Sequence, residues 1–393
     1  MELRWLKAED YNELLDMLNH TFGTHYGREM DFISTQPKMW VRDDEHMGKH
    51  LGIFDGDRLA SVVGIYELPT MIGEKLFKFY TTGNVATRPE YTGRGYFTKI
   101  FDEIMKELEV RGADGARLGG ARQRYARYGF EPVGTPHVHT ITEKNRIQGF
   151  GDVGGDIDFI EILPDDAKSL AYCDKLSKEA DIHVLRSAEH GYRDVYLALC
   201  SKHAAPYLAV RDGKPIGYIS AYRKSQNVGK SENGEKIAEW RTERAEDAPN
   251  MMCAWQRRVG SSIYFEINPL YTELQRLFTP HSESVLSESH HRFKILNYVG
   301  IADALLKLRA KREVLPEIDF VLKISDYGSI HIHTDKDAAS CTLTDKPSDL
   351  TLERSCATRF LFGQLDTLSA AVAPTILRSI LPLPLAWCTQ DYV

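Results

Sequence analysis

Apolar side chains recur with a helical period at two places near the start of the chain. In residues 11–22 they fall at every third or fourth position, and Gly23 follows the last of them. Residues 97–108 repeat this spacing, and Gly112 lies shortly beyond. The period predicts two amphipathic helices. We expect each helix to end at its glycine, which readily adopts the left-handed conformation that closes many helices.

Apolar runs without that period predict strands. Residues 51–54 and 59–66 flank the turn sequence around Gly56 and predict a β-hairpin, and residues 207–222 repeat the pattern around Gly213. The repetition indicates that one type of domain occurs twice in the chain.

Short apolar runs also enclose the second predicted helix. Residues 83–86 precede it and residues 116–118 follow it, which gives the order strand, turn, helix, strand. We expect two further strands, the last at residues 137–142, to complete the sheet of the first domain.

The length of the chain, 393 residues, exceeds one ordinary core and predicts two or three domains. Residues 149–155 are rich in glycine and aspartate, as in a linker. From about residue 292 the pattern changes to a helix, alternating strands and further helices. The expected domains are residues 1–145, 146–290 and 291–393.

Turn residues crowd in front of the second helix, where the chain reads Gly93-Arg94-Gly95. Backbone N–H groups at such a turn and at the start of a helix can bind an anion such as a pyrophosphate. A glycine-rich turn alone is a weak signal, since most turns of this kind bind nothing.

The residues around the turn strengthen the signal. The segment Val85-Ala-Thr-Arg-Pro-Glu-Tyr-Thr-Gly-Arg-Gly95 resembles the acetyl-CoA loop of the GNAT superfamily of N-acetyltransferases. It departs from the family pattern at Thr92, where arginine or glutamine is usual, and at Phe97, where glycine or alanine is usual, so Arg94 must carry more of the phosphate charge. The resemblance implies that acetyl-CoA contacts Val85, Ala86, Thr87, Thr92, Gly93, Arg94, Gly95, Tyr96 and Phe97.

The order of domains carries a second resemblance, which covers the whole chain. Residues 146–290 resemble a second GNAT-like domain, which is degenerate because no Gly-x-Gly follows Trp240. Residues 291–393 resemble a sterol carrier protein. The chain is therefore similar to the enhanced-intracellular-survival (Eis) acetyltransferases. The implied fold class is α/β (α+β): tandem GNAT-like domains, the second degenerate, plus a C-terminal sterol-carrier-protein-like α+β domain.

The resemblance also implies site residues and an assembly. In Tyr-x-x-Tyr-Gly-Phe, Tyr125 matches the tyrosine that acts as general acid, and the carboxylate of Val393 matches the general base. Residues 23–40 would shape the acceptor pocket, with Trp40 as a substrate-binding residue. The family further implies a homo-oligomer, specifically a hexamer.

Composition narrows the partners. The formal charge of −7 argues against a nucleic-acid surface and suits a cationic acceptor. No apolar run approaches the roughly 20 residues that span a bilayer, and the start of the chain lacks a signal-peptide core. Six separated cysteines without Cys-x-x-Cys indicate ordinary cytosolic use. We therefore expect a cytoplasmic protein that binds neither nucleic acid nor membrane.

Histidines occur in pairs, at 137 and 139, at 290 and 291, and at 331 and 333. No pair has a third ligand at a recognisable spacing, so no metal is expected and solvated strand histidines are the simpler reading.

The predicted function is acetyl transfer from acetyl-CoA to a primary amine. The acceptor would be a cationic small molecule, aminoglycoside- or polyamine-like, or a lysine side chain. Two alternatives stay open at this point: a lipid-binding carrier-like protein, and a sensor that binds acetyl-CoA without turnover.

Overall fold

The computed structural model describes residues 1–186, 192–222, 234–287, 289, 291–336, 338–364, 375–386 and 389–391. Val393 and His290 therefore lie outside the described residues. Within those ranges, no helix combines the length and the apolar character needed to cross a membrane.

The elements of the first third are, in order, β1 (Glu2–Trp5), α1 (Tyr11–Tyr26), α2 (Phe32–Thr35), α3 (Asp44–Met47), β2 (His50–Asp55), β3 (Arg58–Ile72), β4 (Lys75–Thr87), α4 (Tyr96–Val110), β5 (Gly115–Leu118), α5 (Arg122–Tyr125), β6 (Glu131–Val133) and β7 (His137–Ile141).

The middle of the chain continues with β8 (Ile157–Glu161), α6 (Ala167–Lys178), β9 (Ile182–Val184), α7 (Tyr192–Leu199), β10 (Ala204–Arg211), β11 (Lys214–Tyr222), β12 (Gly234–Thr242), α8 (Asp247–Val259), β13 (Ser262–Ile267), α9 (Thr272–Phe278) and β14 (Ser284–Ser287). The last part contains β15 (His291–Ile295), α10 (Tyr298–Ala310), β16 (Leu315–Ile324), β17 (Gly328–Lys336), β18 (Ala338–Leu343), β19 (Leu350–Leu352) and α11 (Arg354–Phe362).

The first sheet has the strand order β1-β2-β3-β4-β5-β15-β6, and β9 pairs with the far end of β3. Among the strands that the structure describes, its one parallel pair is β4 with β5, joined by α4. The apolar face of α4, which includes Ile100, Phe101 and Ile104, is fully buried against this sheet. The helical period predicted from residues 97–108 is thus confirmed.

The second sheet has the order β14-β7-β13-β12-β11-β10-β8. It repeats the plan of the first, since its parallel pair β12 and β13 is joined by a helix, α8. The hairpin predicted around Gly213 is β10 and β11. The tandem arrangement expected from the sequence is therefore the arrangement of these two sheets.

The two sheets exchange strands, which the sequence did not predict. We expected residues 137–142 to close the first sheet, but β7 pairs with β13 and β14 in the second. Conversely, β15 pairs with β5 and β6 in the first sheet. The domain boundaries at 145 and 290 stay a prediction, and both strands cross between the regions they separate.

A four-stranded sheet, in the order β18-β17-β16-β19, forms the last part of the chain. Helix α10 is buried nearly all round between this sheet and the first one, so a single apolar cluster runs from Phe77 through Leu305 to Ile330. The resemblance of this part to a sterol carrier protein remains a prediction from the sequence.

One helix end differs from expectation. α1 does not stop at Gly23 but continues one turn to Tyr26, and Gly27 closes it with a φ of +63°. The N–H of Gly27 donates to the carbonyl of Gly23. Two glycines were available, and the second is the one that takes the left-handed conformation.

Candidate active site

The strands β4 and β5 diverge in the middle of the first sheet. Their pairing ends at Thr82 and Leu118, whereas β4 continues to Thr87. A register shift against β3 marks the same place, where three steps along β4 match two along β3, and Asn84 there has a φ of +52°. Such a bulge re-aims the backbone, so the last residues of β4 can offer N–H and C=O groups to a bound molecule.

The glycine turn follows directly. Gly93 and Gly95 have φ values of +81° and +77°, and a side chain at either position would meet no atom within 4 Å. Backbone conformation, not space, therefore requires glycine here. The first hydrogen bond of α4 runs from the N–H of Lys99 to the carbonyl of Gly95, so the preceding N–H groups have no partner in the helix and suit an anion.

Arg94 supplies the positive charge of this turn. Its guanidinium lies 4.9 Å from the centre of the Tyr91 ring, and its Nη2 donates to the carbonyl of Glu90 at 3.2 Å. The Tyr91 hydroxyl in turn donates to Asp55 at 3.2 Å. These contacts keep an exposed cation beside the glycine turn.

The preceding arginine has a different role. The side chain of Arg88 is 1% exposed, and its Nη2 contacts Asp16 at 2.7 Å and Glu13 at 3.0 Å on α1. Its Nε donates to the carbonyl of Leu59. Arg88 therefore ties the end of β4 to α1 and β3. The sequence did not reveal this, because an Arg-Pro pair in a loop resembles solvent-exposed polar sequence.

Tyr125 lies beside the start of α4. Its ring is 4% exposed and packs edge-on against Phe97, with ring centroids 5.9 Å apart, and at 5.4 Å from Phe101. The chain approaches it closely at Gly120, where a Cβ would lie 2.9 Å from the tyrosine ring. Burial raises the pKa of Tyr125, and the neighbouring Arg124 offsets part of that rise. The phenol is therefore protonated at neutral pH.

The first sheet thus combines diverging parallel strands, a left-handed glycine turn at a helix start, and a protonated tyrosine packed on that helix. A family model described as an acetyltransferase (GNAT) domain matches residues 2–133. Residues 2–133 form a GNAT acetyltransferase domain. By that domain the chain is an acyltransferase.

Solved structures share the fold over the full length. A GCN5-related N-acetyltransferase from Kribbella flavida is 15% identical, with a TM-score of 0.62 over 100% of this chain and 98% of that one. One from Anabaena variabilis ATCC 29413 is 14% identical, with a TM-score of 0.63 over 100% of both chains. Eis1 from Mycobacterium abscessus is 13% identical, with a TM-score of 0.62 over 99% and 98%. Comparison with curated proteins gave no match.

Arg122 in α5 and Arg127 in the turn after it have different partners. Arg122 makes a two-pronged contact with Glu131, at 2.9 and 3.1 Å, and that carboxylate is buried. Arg127 donates to Thr98 in the first turn of α4. Of the two, Arg127 is the one next to the helix start of the GNAT domain, so it is the better candidate for a phosphate contact.

A series of buried polar side chains links Trp40 to the bulge in β4. Trp40 is only 8% exposed and stacks on His50. The Nε2 of His50 lies 2.7 Å from the Tyr66 hydroxyl, which also accepts from Nδ2 of Asn84 at 2.6 Å. The Nδ1 of His50 lies 3.2 Å from the carbonyl of Met47, so Nδ1 carries the proton of the neutral ring and Nε2 accepts from the Tyr66 hydroxyl.

Burial stabilises the neutral forms of His50 and Tyr66. It lowers the pKa of His50 to about 4 and raises the pKa of Tyr66. The sequence singled out Trp40 but not its partners, since three polar residues 16 and 18 positions apart form no motif. Trp40 sits in the core rather than in an open pocket, and its role in substrate binding stays a prediction.

The C-terminal segment, residues 389–391, docks mainly on the second sheet and contacts the GNAT domain at Lys38. Gln390 is fully buried, and its side-chain amide donates to the carbonyl of Leu199 at 2.8 Å. The main-chain carbonyl of Gln390 accepts from Nζ of Lys38 at 3.0 Å. Asp391 lies 3.0 Å from Nε of Arg186. Val393, the predicted base, is outside the described residues, but Lys38 belongs to the segment predicted to shape the acceptor pocket.

The second sheet also diverges, after Lys236 and Tyr264. A cavity of about 320 Å³ is lined there by residues of β12 and β13, among them Glu239, Trp240 and Glu266. The segment that follows reads Arg-Thr-Glu-Arg and has no glycine turn. The geometry of a GNAT domain thus recurs without the turn that would bind a pyrophosphate.

Proposed function

We propose that the chain transfers an acetyl group from acetyl-CoA directly to a primary amine. The acceptor is a cationic small molecule, aminoglycoside- or polyamine-like, or a lysine side chain. The observation that carries the proposal is the contact between Phe97 and Tyr125. It joins the helix start that suits a pyrophosphate to a protonated group that suits the leaving thiolate.

The donor set at the glycine turn fits the phosphates of acetyl-CoA, which supplies an activated thioester. Gly93 and Gly95 let the backbone approach, the free N–H groups of α4 donate, and Arg94 adds positive charge. Thr92, Tyr96 and Phe97 flank this anion site. Residues 85–87, beyond the end of the β5 pairing, would hydrogen-bond the pantetheine arm and orient the thioester. Since the second sheet lacks such a turn, we expect one acetyl-CoA per chain.

Tyr125 is the proposed general acid. The thiolate leaves when the amine nitrogen bonds to the acetyl carbon, and it takes the phenolic proton. Burial keeps that proton on Tyr125 at neutral pH, and general acid catalysis of this kind contributes roughly 10²–10⁴-fold to a rate.

The carboxylate of Val393 is the proposed general base. Support comes from the docking of Gln390 and Asp391 between Lys38 and Arg186. Val393 follows Asp391 by two residues, which span at most about 7 Å when extended. A carboxylate with an ordinary pKa near 3.5 is a weak base, and burial or a relaying water would strengthen it.

The experiment is release of free thiol from acetyl-CoA in the presence of single amines. Spermine, an aminoglycoside and a lysine peptide serve as acceptors, each with mass spectrometry of the product. We expect acetylated product from at least one of them. Binding of acetyl-CoA without any amine-dependent release would instead favour the sensor. Displacement of a fluorescent fatty acid without acetyl-CoA binding would favour the lipid carrier. We also propose a homo-hexamer, from family resemblance, which light scattering after gel filtration checks separately, and a cytoplasmic location, from the cysteine usage.

A further inference from the structure

Two histidines and an aspartate converge on the outer face of the four-stranded sheet. His331 and His333 are two positions apart on β17, so their side chains share one face. Asp319 on β16 is the cross-strand partner of His333 and therefore lies on that face too. The alternate residues of both strands, such as Phe320 and Ile332, are buried on the opposite face.

The donor atoms are close together. His331 Nε2 lies 3.0 Å from one carboxylate oxygen of Asp319, and His333 Nδ1 lies 3.5 Å from the other. One donor atom from each of the three residues falls within 4.8 Å of the others. In a tetrahedral zinc site with bonds of about 2.1 Å, neighbouring ligand atoms are roughly 3.4 Å apart. Small side-chain rotations would bring the three donors to that spacing.

We propose that Asp319, His331 and His333 bind a divalent transition-metal ion, with zinc as the best match. Two imidazoles and one carboxylate suit zinc, nickel or copper, whereas calcium and magnesium favour sites made of oxygen ligands. Three protein ligands leave one tetrahedral position for water or a further ligand. The site lies on the last sheet, outside the GNAT domain at residues 2–133, and the proposal concerns binding, not acetyl transfer.

A lysine beside the three residues disfavours a bound cation, and its removal provides a further test. Nζ of Lys346 lies 3.9 Å from the Asp319 carboxylate. Its positive charge competes with a cation for the same oxygen, although its side chain is 55% exposed and can swing into solvent. Lys346→Met should therefore tighten metal binding, a gain that a nonspecific surface site would not show.

The sequence alone could not point to this site. His-x-His on a strand is common, and its third ligand comes from 12 and 14 positions earlier in the chain, at no recognised spacing. The pairing of β16 with β17 brings Asp319 into place. The expectation that no metal binds rested on the absence of a third ligand, which this pairing supplies.

The test is a zinc titration of the full-length, tag-free protein after chelator treatment, by isothermal calorimetry against a competing indicator. We expect one zinc per chain with a Kd of about 10 μM or tighter. His333→Ala and Asp319→Asn should each weaken zinc binding at least tenfold, and Lys346→Met should strengthen it. His137→Ala is the control, since His137 belongs to the histidine pair on β7, and it should leave the zinc affinity unchanged.

A thermal scan supports the same conclusion by a second route, because zinc that binds the folded chain raises its Tm. The rise should disappear in His331→Ala and persist in His137→Ala. A Kd weaker than about 10 μM, or equal affinity in wild type and His333→Ala, would overturn the proposal.

Discussion

The ring of Phe97 stands edge-on to the ring of Tyr125, at 77° and with centroids 5.9 Å apart. Phe97 belongs to the first turn of α4, directly after the glycine turn, so the two halves of the proposed site are in contact. The sequence marked Phe97 as a departure from the usual small residue. In the structure its bulk fills the space between α4 and α5 and fixes the position of the tyrosine.

The glycine turn gives a prediction about cofactor affinity. Gly95→Ala adds a methyl group that meets no atom within 4 Å, so it causes no clash. Because φ is +77° there, the alanine backbone is strained by about 1–2 kcal/mol, and we expect the turn to shift. We expect acetyl-CoA binding to weaken at least tenfold by calorimetry, with only a small fall in Tm of the protein alone.

Gly112→Ala is the matched control for that change. Gly112 has a φ of +62°, also in open space, but it lies at the opposite end of α4. It should cost similar stability and leave the affinity for acetyl-CoA as in wild type. Equal affinities in all three proteins would show that the pyrophosphate binds elsewhere.

The C-terminal carboxylate gives a prediction about turnover. Appending a few residues converts the Val393 carboxylate into a neutral amide, so kcat should fall strongly while acetyl-CoA affinity stays nearly constant. Val393→Ala keeps the carboxylate and should retain kcat within about threefold, since a small apolar trim there removes no charge. Wild-type turnover by the extended protein would mean that another group accepts the proton.

Buried histidine predicts the acid stability of the fold. The pKa of His50 is about 4 in the folded chain, against an ordinary value of 6.5. As pH falls below 6.5, His50 becomes protonated in the unfolded chain but stays neutral in the folded chain until the pH approaches 4. Stability is therefore full above pH 6.5 and declines towards pH 4, by about 3 kcal/mol for this group.

The measurement is the free energy of unfolding in urea at pH 7 and at pH 4.5. His139, whose pKa is also lowered to about 4 by burial, adds a similar loss. His50→Gln should remove its share of the pH dependence, whereas the exposed His20→Gln should not. An unchanged dependence in His50→Gln would contradict the assignment of a neutral, buried imidazole.

Local patterns of the fold were predictable from the sequence, and strand partners were not. The period of residues 97–108 and the turn at Gly213 depend on neighbours in the chain, so α4 and the β10–β11 hairpin were found correctly. The placement of β7 and β15 depends on residues more than a hundred positions away. Apolar pattern shows that a segment is a strand, but not which sheet it joins.

Buried polar residues were the other limit. His139 was read as a solvated strand histidine, yet it is fully buried and stacks on Phe265 in the second sheet. Arg88 and Asn84 likewise carry structural roles that their residue types conceal. Each is compatible with burial only because a distant partner satisfies it, and distant partners leave no local signal.

The most direct test of the proposed mechanism is steady-state acetyl transfer by Tyr125→Phe. The substitution removes one hydroxyl and keeps the ring that packs on Phe97 and Phe101. Tyr128→Phe is the control, because Tyr128 contacts the same Phe101 ring but is not the proposed acid. We predict that Tyr125→Phe lowers kcat by about 10²-fold or more with unchanged acetyl-CoA affinity, and that Tyr128→Phe stays near wild type. A Tyr125→Phe protein that acetylates amines at the wild-type rate would contradict the account.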